Sequence, residues 1–219
     1  MEQKHPYSFG KLGSDPPLAD YEGVRFFPTK EIDDLPRQWE ENPQIPGWCE
    51  APLKADFVLD PDWDFHLCLT TITAYGMRLT SSVMTHLHTQ HPLPRPVYIN
   101  MLTALQEACS NAIICGNLQI AKPFQNYDEF SQIDQIIAER LQARPYRLKP
   151  VEIKARRTQQ TYTLQIRDYG KGYDIITALL RDHCPPSQPT GRGLEVIEAC
   201  ANSFYITDKG RCITMEFFL

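Results

Sequence analysis

The chain has 219 residues, with 22 Lys and Arg against 27 Asp and Glu, a formal net charge of -5, 42% hydrophobic residues and a mean hydropathy of -0.39. This is enough for one core-bearing domain plus an extension. The acidic balance leaves no broad basic face for nucleic acid, and no run is apolar enough to span a bilayer.

Charge is unevenly placed, because residues 1–60 carry a net -6 and the remainder +1. The seven cysteines are an odd number without Cys-x-x-Cys spacing, so reduced, packed thiols are expected. The first residues, Met1 to Pro6, have no apolar stretch behind them, which predicts a cytoplasmic protein.

Residues 1–53 hold 8 of the 18 prolines, which precludes long regular elements there. Phe26, Phe27, Trp39 and Trp48 nevertheless give this acidic extension more apolar bulk than a free linker carries. Short elements strapped onto a main domain of residues 54–219 are expected, with a partner-docking arm as the alternative. Phe57 to Leu59 reads as a strand. Phe65, Leu69, Ile72, Gly76, Leu79 and Val83 then fall at helical spacing, predicting one long helix that ends before Pro92. The three histidines His86, His88 and His91 lie at its end without a nearby Cys pair, so packing is expected there rather than zinc, which needs three or four convergent ligands.

From Tyr98 to Gly116 the apolar positions recur at three- and four-residue steps, the mark of a helix with one face on a core. Glu107 and Asn111 lie one turn apart on it, about 40° apart around the axis, so a carboxylate and a carboxamide oxygen can meet one hydrated cation. Such a pair is also common on solvated faces. Tyr127, Phe130, Ile133, Ile137 and Leu141 predict a further packed helix. A basic run follows, from Arg140 through Arg144, Arg147, Lys149, Lys154, Arg156 and Arg157, facing ATP, an acidic partner, the acidic arm or only water.

Val151, Ile153 and Ala155 alternate as a strand, and so does Tyr162 to Arg167, which runs into Asp168-Tyr-Gly-Lys-Gly172. Asp and Gly suit a plain turn. They also suit adenine, whose exocyclic amine a fixed carboxylate accepts while Gly170 and Gly172 let the backbone approach the base. Residues 175–189 are rich in proline and read as a lid. Gly191, Arg192 and Gly193 open a helix, where free amides and a guanidinium can take phosphates, or they are merely a glycine-rich start with an exposed Arg. Phe204 to Ile206 and Ile213, Met215 and Phe217 form a closing hairpin around Asp208-Lys-Gly210. The order suits an α+β two-layer sandwich, a mixed, mostly antiparallel sheet covered on one face by helices, with a ligand between the layers.

Read together and in this order, Glu107-Ala-Cys-Ser-Asn111 with Gly116 and Asn117, Asp168 to Asp174, and Gly191 to Leu194 resemble the nucleotide-binding boxes of GHKL-type ATPases, the Bergerat fold. Within that group the chain most resembles the anti-sigma-factor serine/threonine kinases, over roughly residues 54–219. The resemblance implies ATP and Mg2+ as cofactors, with Glu107 as general base and Asn111 on the metal. It further implies Asp168 on adenine, Gly170 and Gly172 beside base and ribose, Gly191, Arg192 and Gly193 on the phosphates, and Thr214 supporting the adenine end. Cys115 stands where the family often has His, and Tyr173 where Phe is frequent.

The function expected on this basis is phosphorylation of a small anti-anti-sigma-like antagonist protein in a partner-switching circuit, with a sigma factor as a further partner and homodimerisation implied by the resemblance. No nucleic-acid or membrane partner is expected. The alternative is a non-catalytic ATP-binding module whose nucleotide state controls partner binding. Glu107 favours chemistry, since a binder needs no base.

Overall fold

The computed structural model describes residues 23–53, 57–120, 127–172 and 193–219. Its strands form one seven-stranded sheet, built from β1 (Val24–Phe27), β2 (Gly47–Glu50), β3 (Phe65–Thr70), β4 (Pro150–Arg157), β5 (Thr161–Asp168), β6 (Ser203–Thr207) and β7 (Cys212–Phe218). The spatial order is β1-β2-β3-β4-β5-β7-β6; the first three strands run parallel and the other pairings are antiparallel. The expected mixed, mostly antiparallel sheet layered with helices is therefore present.

The helices are α1 (Leu35–Glu41), α2 (Thr71–Gly76), α3 (Leu79–Gln90), α4 (Arg95–Ser110), α5 (Tyr127–Gln142), α6 (Arg144–Arg147) and α7 (Gly193–Cys200). Met84, Leu87, Met101 and Leu105 from α3 and α4 share one core with Leu67, Leu69, Ile153, Leu164, Ile166 and Met215 from the sheet. Alternation along β5 places Leu164, Ile166 and Asp168 on this helix-covered face, and Gln165 and Arg167 on the other.

Two expectations fail. Phe65 to Leu69 is not the start of a long helix but an interior strand, and Phe57 to Leu59 is coil. All six residues of β3 are buried because both of its faces are covered, so the alternation of Phe65, Leu67 and Leu69 with His66, Cys68 and Thr70 does not separate a core face from a solvent face. Its apolar positions then run on into α2 at a spacing that imitates a helix. The far face is covered by Phe57 and Leu59, which pack on a second small core of Val24, Phe26, Cys49, Leu53 and Cys68.

Residues 23–53 extend the same sheet rather than lying on its surface. Trp39 and Trp48 have no solvent exposure, and the Trp39 ring meets Trp48 at 6.5 Å, Phe65 at 5.6 Å and His86 at 5.4 Å between centroids. His86 is thus part of this packing, and burial lowers its pKa to about 4. Glu50 ties the same segment to β3 and α2. Its carboxylate accepts the Thr29 hydroxyl, the Thr70 N–H at 2.7 Å and the Thr73 hydroxyl at 2.9 Å.

Truncating Trp39 to Ala is expected to cost about 3–5 kcal/mol and to lower Tm by roughly 10 °C in a single cooperative transition. Scanning calorimetry checks this; a separate, earlier transition would show that residues 23–53 melt independently of the rest.

Candidate functional site

The predicted helix over 98–116 divides in the structure. It is α-helical to Ser110 and then π-helical over Asn111–Asn117, with the Leu118 N–H bonded to the Ile113 carbonyl at 2.9 Å. The N–H of Asn111 still reaches the Glu107 carbonyl, so these two side chains keep the one-turn spacing. Beyond them the wider turns carry Gly116 and Asn117 out to the end of β5.

Gly193, the first residue of α7, sits directly over Glu107 and Asn111. A Cβ built on it would lie 2.9 Å from Asn111 Nδ2, 3.1 Å from Glu107 Oε2 and 3.4 Å from Asn111 Oδ1. Only a glycine fits so close. Three of the predicted residues therefore meet, at the point where α7 begins. Gly191 and Arg192 lie outside the described residues, as do Tyr173, Asp174 and the predicted lid.

At the other end, Asp168 closes β5 on the helix-covered face with only 6% of its surface exposed. A Cβ on Gly116 would lie 2.5 Å and 2.7 Å from the two carboxylate oxygens, and one on Gly170 would overlap the Gly116 carbonyl. Gly116, Asp168 and Gly170 are thus stacked with no room for side chains between them. Asp168 Oδ1 accepts the Gly170 N–H at 2.8 Å. Burial raises the Asp168 pKa to about 6, against the Gly170 hydrogen bond and the nearby charges of Arg211 and Lys149.

Asn117 is fully buried behind this stack. Its Nδ2 donates to the Thr71 hydroxyl at 2.9 Å and the Pro150 carbonyl at 2.7 Å, and its Oδ1 accepts the Tyr169 N–H at 2.8 Å. Lys149 Nζ donates to the Asn117 carbonyl at 3.1 Å, which brings an ammonium beside Asp168.

Thr214 requires a correction. It is paired with Gln165, whose Nε2 donates to its hydroxyl at 3.1 Å, so it stands on the face of the sheet opposite Asp168 and does not support the adenine end. The residues beside Asp168 on that flank are Arg211, whose carbonyl accepts the Asp168 N–H at 2.9 Å, and Gly172, which has a left-handed φ of 74°. The basic run also separates. Arg140 and Lys149 both lie over the Tyr146 ring near Asn117, while Lys154 pairs with Asp60 at 2.9 Å on the far face. In the sequence Lys149 is only one member of the basic run and Arg211 has no assigned role, because a Lys in a basic run and an Arg after a turn glycine carry no local signature.

The raised pKa of Asp168 fixes the sign of a pH effect. The folded protein holds this proton more tightly than the unfolded chain, so the buried carboxylate costs stability as pH rises from about 4 through about 6, and ligand donors are accepted best above that range. Affinity for ATP is expected to fall about tenfold between pH 7 and pH 5. Asp168→Asn should bind ATP weakly with no such pH dependence, and its ligand-free Tm at pH 7.5 should exceed that of the parent; titration calorimetry and thermal melts read both.

Among the described residues no helix is long and apolar enough to cross a membrane. No curated protein matches the chain significantly. The model of the histidine kinase-like ATPase domain matches residues 74–217, a span that includes the Glu107–Asn111 helix, the Asp168 loop and the start of α7. With a match over more than half of its length, the chain belongs to the histidine kinase-like ATPase domain family.

Proposed function

We propose that the protein is an ATP-dependent serine/threonine protein kinase of the anti-sigma-factor type, transferring the γ-phosphate of Mg-ATP to a hydroxyl of a small antagonist protein in a partner-switching circuit. The observation that carries this reading is the meeting of the Glu107 carboxylate and the Asn111 carboxamide under Gly193. Adenine at Asp168 and phosphates at the start of α7 would put the γ-phosphate within reach of Glu107.

In the transfer, the attacking hydroxyl oxygen bonds to phosphorus, its proton passes to Glu107, and the bond from the γ-phosphorus to the bridging oxygen breaks to release ADP. Asn111 Oδ1 fits a magnesium site, since Mg2+ takes one or two protein oxygens and completes its shell with phosphate and water. When bound, the ion would neutralise charge on the phosphate oxygens. The chain's own part is to hold base, carboxamide and helix start in one place. A sigma factor as second partner, and pairing into a homodimer, belong to the same proposal. A purely nucleotide-sensing module would need no carboxylate at this point.

Glu107→Gln is expected to lower phosphotransfer by about 10²- to 10⁴-fold while keeping Mg-ATP affinity. Asn111→Ala should weaken binding in the presence of Mg2+ far more than in its absence. Labelled ATP with a candidate antagonist protein measures the first effect and calorimetry the second. Transfer by Glu107→Gln at the parent rate would end the kinase reading, and an acid-labile product would redirect it from serine or threonine to histidine.

A further inference from the structure

We propose that Asp208, together with Arg211, is a positioning residue for the adenine end of the site, holding a left-handed turn against the Gly170–Gly172 loop and so setting where Asp168 stands. The proposal rests on the reading of Asp168 as the adenine acceptor.

The connection from β6 to β7 places three consecutive residues in the left-handed region, Asp208 at φ 51°, Lys209 at φ 56° and Gly210 at φ 86°. Glycine is at ease there and Asp tolerates it, but Lys209 is held there against its preference. A hairpin whose sole task is to reverse the chain has cheaper turns available. This one is pinned. The Asp208 carboxylate accepts Arg167 Nη1 at 2.6 Å and Arg211 Nη2 at 2.5 Å, and its carbonyl accepts Arg211 Nε at 3.1 Å. A single ion pair at about 30% exposure would contribute little, but a carboxylate shared by two guanidiniums fixes the turn from both sides.

The pinned turn presses on the site. A Cβ on Gly172 would overlap the Lys209 carbonyl and touch Arg211 Cγ at 3.4 Å, so two left-handed segments interlock. The next residue along, Arg211, accepts the Asp168 N–H through its carbonyl. Asp168 is therefore gripped from β7 through Arg211, and Arg211 is oriented by Asp208. Arg167 is held on the opposite face between Asp208 and Glu152, and the Tyr169 hydroxyl donates to Glu152 at 2.9 Å, so the residues on both sides of Asp168 are anchored there.

The charged groups acting on Asp168 give a readout that loss of fold alone would not move. Arg211 and Lys149 lower its pKa, and Asp208 raises it. With the intact protein and Mg-ATP titrated between pH 5 and pH 8, Asp208→Asn and Arg211→Gln are each expected to weaken binding about tenfold at pH 7.5. The acid midpoint of binding should move to lower pH in Asp208→Asn and to higher pH in Arg211→Gln. Should Asp208→Asn not fold, Asp208→Gly removes the carboxylate while relieving the turn, and is expected to weaken binding likewise. Binding within twofold of the parent in a folded Asp208 variant, or midpoints moving in the same direction, would overturn the proposal. Asp168→Ala separates the two levels: if it abolishes binding while the Asp208 variants do not, only the positioning role falls, and if it binds normally the adenine reading falls as well.

Discussion

The buried carboxamide of Asn117 is the point at which the sheet, the helical layer and the Asp168 end of the site are fastened together. Its three hydrogen bonds go to the residue after β3, the first residue of β4 and the residue after β5, so three strand ends are fixed to one side chain. In a low-dielectric interior each of these bonds is strong, and loss of the carboxamide would strand buried partners at about 1–3 kcal/mol apiece. The π-helical segment exists in this light as a spacer. An α-helix continuing from Ser110 would not deliver both the Gly116 carbonyl to Gly170 and the Asn117 side chain to Pro150.

Around that anchor the site trades stability for readiness. Burial leaves the charged form of Asp168 poorly solvated despite the nearby charges of Arg211 and Lys149, and the surrounding glycines contribute no side-chain packing. Both choices leave backbone rather than side chains packed against the carboxylate. The rest of the core compensates, with Trp39, Trp48, Leu67, Leu105 and Leu164 all free of solvent.

What the sequence made legible was local chemistry with a helical or alternating period. Glu107 and Asn111 could be placed on one face because the period holds through Asn111, and Asp168 could be placed at a strand end because β5 alternates cleanly up to it. The β3 strand was illegible because it is only six residues long and its apolar positions run on into α2 at helical spacing, and Thr214 was misassigned because a residue's face depends on register with β5, which no single strand reveals. Lys149 and Arg211 reach Asp168 only through tertiary structure. The two strands contributed by residues 23–53 were hidden for a similar reason, since each is four residues long and flanked by proline.

The strand order also dictates when the site can come into being during synthesis. β1, α1, β2 and β3 are contiguous, but β3 must wait for β4, its antiparallel neighbour roughly eighty residues later, before its second edge is covered. Such distant pairing is slow to nucleate and leaves Trp48 and Phe65 without their full packing in the meantime. The Asp168 N–H finds its acceptor only at Arg211, more than forty residues later in the chain. Asp168 therefore cannot take up its final position until β7 has paired with β5, the last of the sheet's central pairings to become available in chain order.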